Sequence, residues 1–352
     1  MKREALAFER PQELYASRPP EMRGEGRDDV RLLVSLPGGQ THARFLDLPK
    51  FLEPGDLLVV NESATLPAAL EASGRLGPFL LDLCTRFHDG LWLAEPRWDT
   101  ARQGPLPLRE GETVRVGETR VRFLAPFPGI PRLWFVSSDR PLSAEVAARG
   151  RAIRYGYVTE PFPMDVYQTL FSQVPGSAEM PSAARPITNR VREALERRGV
   201  RFASVMLHTG VSSLEIEASE VGAQALYPEP FAVPQATARL VAETREAGGG
   251  AIAVGTTVVR ALESAWTGAG LRAAGGFTRV FVHPGTGVHA VDGLLTGLHD
   301  PVTSHLAMLC ALAGRELVFD AYREAIEKRY LWHEFGDSHL ILPHGARPAE
   351  AS

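Results

Sequence analysis

Four groups of polar residues in this chain each follow an apolar, β-compatible run. They are Asn61 after DLLVV, His208 and Thr209 after ASVML, Gly255, Thr256 and Thr257 after AIAV, and His283, Pro284 and Gly285 after RVFV. In parallel α/β architectures, ligands sit beyond the C-terminal ends of the strands. The four groups are therefore expected to converge on one pocket, although turn chemistry explains each of them taken alone. His299 lies in TGLHDP, a polar break between apolar segments, and its imidazole is a candidate general acid or base because it titrates near neutrality. Tyr167 and Gln168, in VYQT, suit stacking on or hydrogen bonding to a base, or equally the anchoring of a loop at a domain junction.

The stretch AIAVGTTVVRALESA, Ala251 to Ala265, is the most pointed of these sites. A buried strand is expected to break at Gly255 and enter a helix with Thr256 or Thr257 as N-cap. Val258, Val259, Leu262, Ala265 and Trp266 recur at helical spacing and would face a core. Thr256, Arg260 and Glu263 then share another face. A helix N-terminus favours anionic groups, and a guanidinium one turn in suits a carboxylate. The plainer reading is a capped helix carrying an Arg–Glu pair on its surface.

Other signals point away from common functions. GTGVHA, Gly285 to Ala290, matches GxGxxA, but no clear helix follows and no acidic ribose partner stands at the usual distance. There is no GxxxxGK[ST] run. His283, His289, His299 and His305 lack the spacing of a known metal-ligand pair, so no metal is expected. Arg190, Arg192, Arg197, Arg198 and Arg201 would solvate one helix face or meet phosphates.

The elements that must position these residues fall into two kinds. With 352 residues, 44% hydrophobic and 23% charged, the chain has the composition of a soluble globular protein of one large or two ordinary domains. A net charge of −4 argues against a protein that coats nucleic acid. No apolar run spans a bilayer, the charged N-terminus is unlike a signal peptide, and two cysteines suit a reducing cytoplasm. From residue 63 to 152, short apolar segments alternate with Gly/Pro/Asp turns, which predicts a small antiparallel β-barrel. Residues 1–62 and 153–345 read as helix–strand units, which predict a mostly parallel, barrel-like α/β body. Residues 346–352 read as a disordered tail. Oligomeric state is open, and nothing in the sequence calls for more than a monomer.

GTTVVRALESA closely resembles a signature of the S-adenosylmethionine:tRNA ribosyltransferase-isomerases of queuosine biosynthesis. RDDVRLLV, HARFLDLPKFLEPGDLLVVN, VYQTLFSQVPGS, LHTG, HPG, DGLLTGLHDP and FGDSHLIL follow in the family's order. The resemblance implies an α/β body with an inserted β-barrel. It also implies an enzyme that transfers and rearranges the ribosyl moiety of S-adenosylmethionine onto a 7-aminomethyl-7-deazaguanine base in tRNA. S-adenosylmethionine is then a co-substrate, and no permanent cofactor is implied. Such chemistry needs a base near the ribose C5′, an acid for departing adenine, and a pocket for an amino acid. On this resemblance Gly255, Thr256, Thr257, Arg260, Glu263, Pro284 and Gly285 would hold the donor, and Asn61, Tyr167 and Gln168 the acceptor. His299, His208 and Glu229 would move protons.

The chain also departs from the family pattern. Glu62, Ser63 and Ala64 stand where the family has Thr-Arg after Asn61, and EMPSAARPI replaces AAPTAGLHF. In HxMHxE both histidines are replaced, by Gln224 and Tyr227, while Glu229 stays. In TNFHLP the Asn becomes Gly297 and the Leu Asp300, and His299 stays. The altered motifs lie mid-chain, which predicts a retained donor site and a remodelled acceptor site. The alternatives are a paralogue with a small-molecule acceptor and a non-catalytic tRNA- or metabolite-binding relative.

Overall fold

Uninterrupted apolar runs form the middle of one large sheet. The computed structural model describes residues 1–98, 105–158, 160–211 and 215–345. The expected tail, and the residues Ser212 to Leu214 within LHTGVSSLE, lie outside the described residues. The sheet has nine strands: β1 (Arg31–Leu36), β2 (Gly39–Arg44), β3 (Leu57–Asn61), β4 (Arg201–Leu207), β5 (Glu229–Val233), β6 (Ala251–Val254), β7 (Ala274–Thr278), β8 (Gly293–Gly297) and β9 (Ser338–Ile341). Their spatial order is β7-β5-β4-β3-β6-β8-β9-β1-β2.

The helices are α1 (Leu142–Arg149), α2 (Asn189–Arg197), α3 (Gln235–Glu246), α4 (Thr256–Ala265), α5 (Ser304–Ala313) and α6 (Arg315–Glu327). Because strand side chains alternate between faces, one sheet feeds two cores. Leu57, Val59, Ala251, Ala253 and Leu294 pack with residues of α3, α4, α5 and α6. Leu58, Val60, Ile252, Val254 and Leu295 pack with α2 and the 3-10 turn Phe45–Phe51. Burial on both faces explains why β3 and β6 read as continuous apolar runs.

The body differs from the mostly parallel barrel expected from the helix–strand units. The nine strands form a mixed sheet, with β4–β3, β3–β6, β6–β8 and β9–β1 parallel. The pairs β7–β5, β5–β4, β8–β9 and β1–β2 are antiparallel. The strand expected through TRVFVHPG ends at Thr278. Beyond it, the Val280 N–H donates to the Thr278 hydroxyl, and the Val280 carbonyl accepts from the Arg260 Nε. The backbone is thereby drawn off the sheet edge.

The barrel is closed, in the order Ile130–Ser138, Leu91–Arg97, Gly77–His88, Ala69–Gly74, Thr113–Val116 and Thr119–Phe127. It has its own core, which includes Leu70, Leu81, Leu93, Phe123 and Val136. Ala69 and Arg151 exchange backbone hydrogen bonds at 2.9 and 3.0 Å, tying the barrel's entry to its exit. Gly150 sits in that join, where a Cβ would lie 2.0 Å from the Pro67 carbonyl oxygen.

Leu58 is fully buried in the second core. Leu58→Ala is expected to cost about 2–5 kcal/mol of stability. This would appear as a lower urea midpoint with an unchanged slope.

Candidate active site

The ends of β4, β6 and β8 open onto one cleft with two lobes. Thr209, Thr256, Thr257 and His305 line both lobes. Residues at the end of β8, around Thr296 and His299, line the second lobe alone.

The turn into α4 is built differently from the capped helix expected. Gly255 is the N-cap, at φ +99°, and neither threonine side chain caps the helix. Glycine is needed because that φ is hostile to residues with a Cβ. The threonines are left free for the cleft, with the Thr257 hydroxyl accepting from Asn61 Nδ2 at 3.2 Å. Arg260 does not pair with Glu263. It pairs with Glu229 on β5, and its Nε donates to the Val280 carbonyl at 3.1 Å. Glu229 is 3% exposed and also accepts from the Gly210 N–H at 2.8 Å. The Arg260 Nη2 is sealed from solvent without a protein partner. So is the hydroxyl of Thr209. Both residues line the first lobe, so it presents unused hydrogen-bonding groups around a partly buried cation.

The second lobe is rich in acids, imidazoles and phenols: Tyr155, Tyr157, Glu179, His299, His333 and Glu334. His299 Nε2 lies 2.8 Å from the Thr296 hydroxyl. The His299 backbone N–H donates to the Tyr322 hydroxyl, and its carbonyl accepts from the Trp332 indole. Burial, with the charges of His305, His333 and His339, holds its imidazole well below the ordinary histidine pKa. His299 is therefore a neutral ring at pH 7, able to give or take a hydrogen bond without carrying charge. Burial and the negative charge of Glu179 push the Glu334 carboxyl up to about 8, against the pull of Arg185. That carboxyl is neutral at pH 7 and able to donate a proton.

Of the four strand-end groups expected to converge, only Thr209 and the trio Gly255, Thr256 and Thr257 line the cleft; Asn61, His208 and the turn of His283, Pro284 and Gly285 line neither lobe. The Asn61 side chain bridges strands, donating to the Leu207 carbonyl and accepting from the Leu207 and Ser63 N–H groups. His208 Nδ1 binds the Ser63 hydroxyl at 2.7 Å, and the ring lies against Gly176. The Tyr167 ring is 2% exposed and packs at 5.7 Å from Phe335. Gln168 exchanges hydrogen bonds with the Thr65 backbone, as a loop anchor does. Glu263 accepts from the N–H groups of His289 and Ala290, fixing the loop after the His-Pro-Gly turn. Pro284 and Gly285 are exposed and line neither lobe. The five arginines near α2 are engaged: Arg190 with Asp28, Arg192 with Glu196, Arg197 with Glu193, Arg198 with Glu53, and Arg201 with the Thr244 hydroxyl. Among the described residues, no cluster of three His, Cys, Asp or Glu side chains is placed to hold a metal. No described helix is long and apolar enough to cross a membrane.

Comparison with known proteins decides the family. The family model described as "Queuosine biosynthesis protein" matches residues 3–341. The chain belongs to the queuosine biosynthesis protein family. It is 37% identical to the S-adenosylmethionine:tRNA ribosyltransferase-isomerase of Rubrobacter xylanophilus, across 98% of this chain and 99% of the relative. It is 34% identical to the enzyme of the same name from Thermotoga maritima, across 97% and 100%. The crystal structure of an S-adenosylmethionine tRNA ribosyltransferase from Thermotoga maritima matches with a TM-score of 0.55 and 28% identity. That match covers 96% of this chain and 100% of the relative.

Sequence reasoning did not single out His333, Glu334, Glu179, Tyr155 or Tyr157 for this family member's cleft. The WHEFGD run was available as a cluster of ionisable residues beside the recognised GD loop. Only the return of β9 beside β8 brings it to the strand ends.

Glu334 gives a pH test. Folded, it holds its proton up to about 8, whereas an unperturbed carboxyl releases it near 4.5. Between these values the native state binds more protons than the unfolded chain, so this group makes stability fall as pH rises through that window. Glu334→Gln removes the fall. The urea midpoint of the variant relative to the parent should therefore rise between about pH 5 and pH 8.

Proposed function

We propose that this protein is an S-adenosylmethionine:tRNA ribosyltransferase-isomerase. It moves the ribosyl group of S-adenosylmethionine onto the aminomethyl-deazaguanine of a tRNA and releases adenine and methionine. Near-full-length likeness to relatives of that name supports the reaction. The observation that carries the site is Arg260, a partly buried guanidinium whose Nη2 is sealed from solvent and unpartnered beside the N-terminal turn of α4. That combination suits the carboxylate of a methionyl group, since a guanidinium and a helix N-terminus both favour an anion. S-adenosylmethionine is the co-substrate, held by Thr256, Thr257 and Arg260, with the Thr209 hydroxyl offering a further hydrogen bond. Glu229 orients Arg260, and Gly255, Glu263, Pro284 and Gly285 shape the surrounding turns. The ribose and adenine extend toward the second lobe, where Glu334 supplies a proton to the departing base and His299 relays one. Asn61, His208, Tyr167 and Gln168 hold the walls against which the acceptor is placed. The work belongs to the cytoplasm, where charged and modified tRNA is made.

Incubation with S-adenosylmethionine, with and without tRNA bearing the aminomethyl base, tests the reading. Adenine released only with that tRNA is the expected result, and adenine in neither mixture overturns it. Thr209→Val probes the donor site with no internal hydrogen bond to lose. It is expected to weaken S-adenosylmethionine binding by about 2–10-fold, the worth of one neutral hydrogen bond, with an unchanged melting temperature. Isothermal titration checks this.

A further inference from the structure

Asp300 is one of the departures from the family pattern, and it does not stand alone. Its Oδ1 accepts from Arg10 Nη2 at 2.8 Å, and its Oδ2 lies 2.8 Å from His333 Nε2. On the far side of the same ring, His333 Nδ1 lies 3.1 Å from the Tyr157 hydroxyl. The three side chains therefore run in series, carboxylate to imidazole to phenol. They come from the break after β8, the segment before β9 and the segment leaving the barrel.

Each member is held in place. Tyr157 lies between two other tyrosines, with Tyr15 stacked at 4.8 Å and Tyr155 at 5.9 Å. Tyr15 also donates to Asp300 Oδ2. His333 has φ +72°, a left-handed conformation rarely taken by residues other than glycine. Strain of this kind persists where surrounding structure fixes it, and it gathers at functional sites. His333 and Tyr157 both line the second lobe of the cleft.

The hydrogen-bond directions follow from charge. Contacts with His333, Arg10 and Tyr15 hold the Asp300 carboxyl below its ordinary pKa, against the effect of burial. An ionised carboxylate only accepts, so His333 Nε2 carries a hydrogen toward Asp300, and in the neutral imidazole this leaves Nδ1 with its lone pair. Tyr157 then donates its phenolic hydrogen to Nδ1. Its oxygen is left with acceptor lone pairs, and a phenol that is already donating favours an N–H donor as its remaining partner.

We propose that Asp300, His333 and Tyr157 form a proton relay that opens into the cleft at the Tyr157 phenol and deprotonates an amine-bearing acceptor. The inference deepens the ribosyl-transfer reading and rests on it for the identity of the amine. In the step, the acceptor's N–H bond breaks and its proton passes to the Tyr157 oxygen. The phenolic proton moves to His333 Nδ1, and Asp300 stabilises the imidazolium that results. The nitrogen lone pair is freed for attack, no electrons leave the system, and no free phenolate forms. Tyr157 is the catalytic residue of the three, while His333 and Asp300 act through it.

Two independent readouts test this on the full chain. With S-adenosylmethionine and the aminomethyl-bearing tRNA, Tyr157→Phe is expected to lower kcat for adenine release by about 10²–10⁴-fold, the usual worth of general-base catalysis, with little change in KM. Asp300→Asn should fall in the same direction, with a lower melting temperature because the ion pair with Arg10 is lost. A Tyr157→Phe variant that turns over at the parent rate overturns the relay. Nitrogen-15 spectra of the histidine-labelled protein, with His333 assigned by its loss in His333→Gln, should show Nε2 protonated and Nδ1 bare, and Asp300→Asn should disturb that tautomer. A protonated Nδ1 in the parent overturns the relay, whether or not the protein turns over. Absence of adenine from the parent would refute the ribosyl-transfer reading, and the tautomer would then decide the relay by itself.

Discussion

The ion pair between Glu229 and Arg260 is the interaction on which the cleft depends. A carboxylate taken out of water is costly unless paired and hydrogen-bonded. Glu229 meets that condition with two partners, Arg260 and the Gly210 N–H. In doing so it joins β5, α4 and the turn after β4. Arg260 extends the junction to the irregular segment at Val280. Four separate pieces of chain are thus fixed by one pair of charges, and the pair still leaves one guanidinium nitrogen, sealed from solvent, unused in the lining of the first lobe.

The two lobes differ in electrostatic character. The first presents a cation and hydroxyl groups. The second gathers carboxyls, imidazoles and phenols, several kept neutral by burial and by one another's charge. A neutral acid poised near pH 8 can protonate a leaving base at pH 7, and a neutral imidazole facing the same space can hydrogen-bond without adding charge.

Much of this was legible in the sequence. β3 and β6 announced themselves as apolar runs, and the helix expected after Gly255 is α4. The alternating segments that make the closed barrel were equally clear. The direction of β9 was not, because period-two patterning says nothing about whether a strand runs with or against its neighbour. The body was therefore read as mostly parallel and proved mixed. At the site, Thr256, Thr257, Arg260, Glu229 and His299 were singled out and line the cleft. Asn61, Gln168 and Glu263 were singled out for their chemistry, and that chemistry is engaged by the protein's own backbone. The partner of Arg260 was misread because Glu263 lies on the same helix while Glu229 comes from another strand. His333 and Tyr157 were missed because their meaning lies in a contact across 176 positions of sequence.

The backbone bonds between Ala69 and Arg151 have a bearing on how such a chain reaches its native state. Asn61 bonds to Leu207 across 146 positions, a long loop to close by diffusion. The closed barrel fills much of that interval, and its two ends leave side by side. Once the barrel has formed, the effective loop between β3 and β4 is far shorter than the sequence suggests, and the entropy of bringing them together falls accordingly. The barrel in this light is a folded spacer that makes a distant pair of central strands near neighbours before the sheet assembles.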